Sequence, residues 1–123
     1  MVKFGTLDYY KLFADAVNKD EEFGKSGLTT TMLRVFSDVK TEAGTSKAFL
    51  LKIDKGKVTA SEAKADEKTD FSCTAPYAIQ VSIAKGENNG VKYSKFNMMK
   101  AMKHMKTIQR MVATEKALKD VEY

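Results

Sequence analysis

The chain has 123 residues, 43% of them hydrophobic and 30% charged, with a formal net charge of +5, one cysteine and one histidine. That length fits one domain with enough apolar mass for a core, and the single cysteine excludes an intramolecular disulfide. No apolar run approaches the ~20 residues of a membrane span, and the opening MVKFGTLDYYKLF lacks the long apolar stretch of a signal peptide, so a cytoplasmic protein is expected.

Leu7, Tyr10, Ala14 and Val17 recur at spacings of three and four, which predicts a helix over 7–18. Thr6 is placed to cap it, and Asp8 sits in the first turn, where the helix dipole favours an acid. Lys19-Asp20-Glu21-Glu22 reads as solvated, and Gly24 and Gly27 mark a loop. Residues 28–39 have the β-branched and aromatic content of a strand. Thr29, Thr31, Leu33, Val35 and Ser37 share one face; Thr30, Met32, Arg34 and Phe36 share the other. A turn at 40–46 leads into a hairpin of 47–53 and 57–61. Its connector, Asp54-Lys55-Gly56, supplies a glycine for a left-handed residue. Residues 61–70 read as a polar loop, and 71–74 as a short strand.

Residues 76–84 carry two signals. Ile79, Val81 and Ile83 alternate as in a strand, but Pro76 at the start and Gly86 past the end frame a short helix. GENNG at 86–90 is a loop, 92–96 a short strand, and Met98 to about Leu118 a long helix. On that helix Met98, Met102, Met105, Ile108 and Val112 share a face, while Lys100, Lys103, Lys106, Thr107 and Arg110 lie opposite. The order predicts an α+β fold with a largely antiparallel sheet, an N-terminal helix, a short middle helix and a long C-terminal helix.

Charge is confined to one place. Residues 1–87 hold 13 basic and 13 acidic side chains, and residues 115–123 sum to −1. Between Asn88 and Thr114 there is no acid, but there are five lysines and Arg110, a local +6. The same stretch holds five of the seven methionines. It therefore joins an adaptable apolar stripe to a positive field that attracts phosphate, carboxylate or an acidic surface.

Catalytic equipment is sparse. His104 falls mid-helix near the border of the polar face, as a solvent-facing residue does. Cys73 sits among Phe71, Ser72 and Thr74, where a free cysteine behaves as a small hydrophobe. No HxxxH or CxxC spacing suggests a metal, and the glycines form no GxGxxG or P-loop. The carboxylates at 20–22 and 66–70 read as solvated surface. Binding is left. A methionine stripe packed on a sheet is an ordinary core; the same stripe roofing an apolar cavity is a binding site. The lysines fit a solubilising face, an anionic membrane, an acidic protein or nucleic acid. For nucleic acid only Tyr93 and Phe96 lie near the basic cluster, so that partner is disfavoured.

The arrangement resembles the sterol carrier protein type-two (SCP2-like) family of lipid-binding domains, as a divergent member. Tyr10–Asp20 (YKLFADAVNKD) resembles the family's opening helix, and Phe49–Val58 (FLLKIDKGKV) its central hairpin. Asp70–Gly86 resembles the segment in which a short strand leads into a helix ending before glycine. Lys92–Lys103 (KYSKFNMMKAMK) resembles the final strand running into the C-terminal helix. The family usually has glycine and an acidic residue at that last junction; here Asn97 and Met98 stand there, and Asn97 is able to take up the left-handed turn.

The resemblance implies a curved five-stranded sheet with helices on one side, enclosing an apolar tunnel for fatty acyl chains, sterols or similar lipids. It also implies a helix at 76–84 and no catalysis. The expectation is one SCP2-like domain over 1–123 that binds or transfers apolar small molecules. Met98, Met102 and Met105, with Ile79 and Ile83 and with Leu33, Phe49 and Phe71, would line the cavity. Lys95 and Lys100 would meet a head group or polyanion at its mouth. No cofactor or metal is expected; the partners are an apolar small molecule and an anionic membrane surface. The rival is an accessory module with a solid core that docks its basic C-terminal helix on an acidic protein or nucleic acid.

Overall fold

In the computed structural model, which describes residues 1–123, the Thr6 hydroxyl accepts the Tyr9 N–H and starts α1, Leu7–Asn18. Tyr9, Tyr10, Phe13, Ala14 and Val17 form its buried face. The run expected to be solvated loop instead makes a second helix, α2, Glu21–Lys25. Asp20 causes it: its carboxylate accepts the N–H groups of Glu22 and Phe23, which satisfies two of the orphan donors of a helix start. Phe23, fully buried, fixes the turn to the core.

The strands are β1 (Val2–Lys3), β2 (Thr30–Lys40), β3 (Ser46–Asp54), β4 (Lys57–Ala63), β5 (Phe71–Ala75), β6 (Ser94–Phe96) and β7 (Val121–Glu122). Five of them form one sheet in the order β4-β3-β2-β5-β6. All its pairings are antiparallel except β2 with β5, so the fold is α+β as predicted. β1 and β7 pair in parallel as a separate ribbon joining the chain ends. At the β3–β4 turn both Lys55 (φ 48°) and Gly56 (φ 82°) are left-handed, as a two-residue hairpin turn requires. A Cβ at Gly56 would also collide with the Gly24 carbonyl of α2.

Strand alternation sorts the side chains. Arg34 lies opposite Phe49 on β3 and Cys73 on β5, and Met32 lies opposite Leu51 and Phe71, so these share a face. The helices cover that face. The main core there includes Tyr10, Phe13, Phe36, Phe49 and Leu51. Leu33, Val35 and Ala48 point the other way, against Ala63 and Ala65.

Residues 77–84 are helix α3, Tyr77–Ala84, as the resemblance implied and the strand alternation did not. Tertiary bonds decide between the two signals. Asp38 accepts the Tyr77 N–H at 2.7 Å. The Gln80 amide, fully buried, donates to the carbonyls of Val35 and Cys73. A strand would turn that amide away from both.

The long C-terminal helix is not continuous. It comprises α4 (Met98–Lys103) and α5 (Met105–Lys116), with His104 between them at φ −115°, ψ 22°, outside the helical region. Asn97 is not left-handed at the preceding junction. It is extended (φ −72°, ψ 108°), and its side chain caps α4 by accepting the Lys100 N–H. No helix is long and apolar enough to cross a membrane.

Candidate functional site

Helices α4 and α5 pass over the β2–β5–β6 edge of the sheet without closing on it. The space between is a groove of about 450 Å³, and 12 of its 18 lining residues are hydrophobic. Met32, Arg34, Phe71 and Cys73 come from the sheet; Val91 and Phe96 form one rim. Met98, Met102, Met105, Ile108 and Val112 form the other wall.

The two helices are fastened differently, and this shapes the groove. α5 buries Met111 and Glu115. α4 buries no residue. Polar ties hold it instead: Asn97 N–H to the Asp70 carbonyl, and Lys100 Nζ to Asp70 Oδ2 at 2.7 Å and to the Thr29 carbonyl. Lys100 and Thr30 hold the Asp70 carboxyl below the usual carboxylate range. Met98, Met102 and Met105 consequently remain 58%, 68% and 53% exposed. The site is an open groove rather than an enclosed tunnel.

One polar cluster interrupts the apolar floor. Arg34 reaches Glu115 with both terminal nitrogens, at 2.9 and 3.3 Å, and Tyr9 donates to the same carboxylate at 2.8 Å. Both charged side chains are largely buried. Burial opposes the Arg34 charge, but the Glu115 carboxylate outweighs it and raises the guanidinium pKa. Burial, reinforced by Glu115, likewise drives the Tyr9 hydroxyl far above the ordinary tyrosine range. The pair therefore clamps α5 to β2 beneath the groove. Beside it Cys73 Sγ lies 3.9 Å from Gln80 Oε1.

No protein-family model and no curated protein sequence matches the chain. Solved structures do match. The backbone superposes on a crystal structure of sterol carrier protein 2 with a TM-score of 0.72, covering 92% of this chain and 97% of that one at 14% identity. The fold is SCP2-like. A solution structure of a conserved hypothetical protein from Thermus thermophilus, linked by its description to the sterol carrier proteins, gives 0.70 at 12% identity, covering 90% and 86%. The sterol carrier protein domain 2 of Helicoverpa armigera gives 0.57 at 21% identity, covering 86% and 87%. At these identities the likeness is one of fold.

Within this SCP2-like frame the predicted residues separate. Met98, Met102, Met105 and Phe71 converge on the groove. Lys95 touches its edge, but strand alternation, in register with Ser72 and Leu33, carries its side chain to the far face of the sheet. Leu33 touches the margin, but strand alternation sends its side chain into the small cluster on the far face of the sheet. Phe49 is not at the groove: it is fully buried in the main core, stacked on Tyr10 at 4.8 Å. Ile79 and Ile83 are not at the groove either. They sit half-buried on α3, where Ile83 packs against Gly90. Lys100 is turned away from the mouth and tied to Asp70.

The sequence reading missed the Arg34–Glu115 clamp. Its signal was a charge alternating with Met32 and Phe36 on one strand face, which must find a partner when that face is buried. The two acidic clusters read as solvated surface each supply an anchor for the basic segment: Asp20 to Arg110 at 2.8 Å, and Asp70 to Lys100.

Proposed function

We propose that this protein binds an apolar or amphipathic small molecule, a fatty acyl chain, sterol or related lipid, in the groove under α4 and α5, and carries it without transforming it. The observation that carries the reading is the groove itself. Its volume of about 450 Å³ falls within the ~300–1,000 Å³ of small-molecule sites, and its walls are mainly apolar. Four of its lining residues are methionines, Met32, Met98, Met102 and Met105, and these adapt to chains of different shape. Each methylene buried contributes ~0.8 kcal/mol, so a long chain binds in the micromolar range with no specific polar contact. The SCP2-like fold supports the same reading. So does the placement of the reactive side chains: Cys73 is hydrogen-bonded to Gln80, and His104 lies at the helix break rather than in the groove lining.

Displacement of a fluorescent fatty acid by unlabelled fatty acid and by a sterol tests the proposal. The wild-type chain is expected to bind the probe at micromolar concentration. Met105→Asp, which puts a charge among apolar walls, weakens binding about tenfold or more. Absence of saturable probe binding by the folded protein contradicts the proposal.

A further inference from the structure

Nine large apolar side chains are exposed in this molecule. Setting aside Met1 and Tyr123 at the chain ends, six of the other seven line the groove and the seventh, Met99, adjoins one of them. Val91, Phe96, Met98 and Met102 are among the six, and Met99, beside Met98, is 82% exposed and outside the groove lining. A contiguous exposed apolar patch on an otherwise polar surface marks an interaction site.

The same region carries the positive field. The three carboxylates that reach the basic segment or its groove are each committed: Asp70 to Lys100, Asp20 to Arg110 and Glu115 to Arg34. Lys92 and Lys103 are exposed and have no ion-pair partner. Lys95 is in register with Ser72 and Leu33, so its side chain leaves the far face of the sheet, where Asp66 and Glu67 line a cleft with it, and it does not belong to the mouth. On α4, Lys103 follows Met99 by one turn of helix and so lies next to it on the outward face.

We propose that this mouth, centred on α4, docks on an anionic lipid bilayer. Exposed methionines and Phe96 would enter the boundary between head groups and acyl chains. Lys92 and Lys103 would keep their ammonium groups among the anionic head groups, as long basic side chains do. Charge selects this occupant over a second copy of the chain, because two-fold pairing would set the unpaired lysines of two identical mouths against each other. The groove opens on this surface, so a lipid would pass between bilayer and protein without crossing water. The docking proposal stands on exposure and charge, and does not require that the groove hold a ligand.

The test is co-sedimentation of the full chain with phosphatidylcholine vesicles, with and without about a quarter phosphatidylglycerol, at low and high salt. Binding is expected to the anionic vesicles only, and to weaken steeply with salt because the lysines are exposed. Met99→Asp and Lys103→Glu, two residues outside the groove lining, each reduce partitioning about tenfold while the circular dichroism spectrum and fluorescent fatty acid binding stay unchanged. Loss of probe binding with vesicle binding intact would sink the groove reading and leave this one standing. Equal binding to neutral and anionic vesicles, no binding to either, or indifference to both substitutions overturns the docking proposal. Tight, salt-sensitive binding of an oligonucleotide or an acidic peptide without vesicle binding also overturns it, in favour of a macromolecular partner.

Discussion

Arg34 carries its charge into the interior because Glu115 meets it there with both oxygens, and Tyr9 supplies the carboxylate with a further donor. Removing one partner of such a pair is far more damaging than removing both. Arg34→Met is expected to cost about 3–5 kcal/mol, because Glu115 is left buried without compensation. The double variant Arg34→Met/Glu115→Leu should recover most of that loss. The remaining deficit, about 1–3 kcal/mol, reflects the Tyr9 hydroxyl stranded without an acceptor, and adding Tyr9→Phe should remove it. Urea unfolding of the series checks this; equal losses in the single and double variants would contradict it. At this scale the sequence was legible where a residue acts through its neighbours in the chain. Thr6 caps α1 and Gly56 turns the hairpin, as read. Arg34, Phe49 and Lys100 were not, because their partners lie 81, 39 and 30 residues away, at Glu115, Tyr10 and Asp70. A periodic pattern tells that a side chain is inward, not which of two inward spaces it enters.

The elements divide by how they are fastened. α1 and α5 are held by buried side chains, but α4 rests on Asp70, which receives Lys100, the Thr30 hydroxyl and, through its carbonyl, the Asn97 N–H. The Asp70 carboxyl titrates below its ordinary value, so its contribution is present above about pH 4 and is lost as pH falls through the lower folded-state value. Asp20, lowered by Arg110, behaves with the same sign. Asp70→Asn is therefore expected to raise amide hydrogen exchange across residues 98–103 at neutral pH, while α1 and β3 keep their protection and global stability falls by less than about 1 kcal/mol. Wild-type protein should show the same local change as pH falls below the ordinary carboxylate range and through the lowered Asp70 value. Unchanged exchange in α4 would mean that something other than Asp70 holds it. The break at His104 had no sequence signal, because no glycine or proline stands there. α2 was hidden too: its cap lies within a charged run, and its anchor is the single Phe23.

For the molecule as a whole, the order of elements was enough to reach an SCP2-like fold. Strand succession, the GENNG loop and the amphipathic C-terminal stretch are all local patterns, and the five-stranded sheet assembled from them as expected. What local pattern cannot convey is the separation between α4–α5 and the sheet. The methionine face was equally consistent with a packed core, a closed tunnel or an open groove. The outcome depends on polar ties at Asp70 rather than on the apolar stripe.

The seven methionines provide the most direct test, because they divide cleanly. Met32, Met98, Met102 and Met105 line the groove; Met1, Met99 and Met111 do not. With ¹³C-methyl-labelled methionine, titration of a long-chain fatty acid or a sterol should be followed in ¹H–¹³C spectra. If the groove is the binding site, the methyl signals of Met32, Met98, Met102 and Met105 shift together and saturate, while those of Met1, Met99 and Met111 stay in place. Shifts confined to Met99, spread evenly over all seven, or absent throughout would contradict a lipid-binding groove.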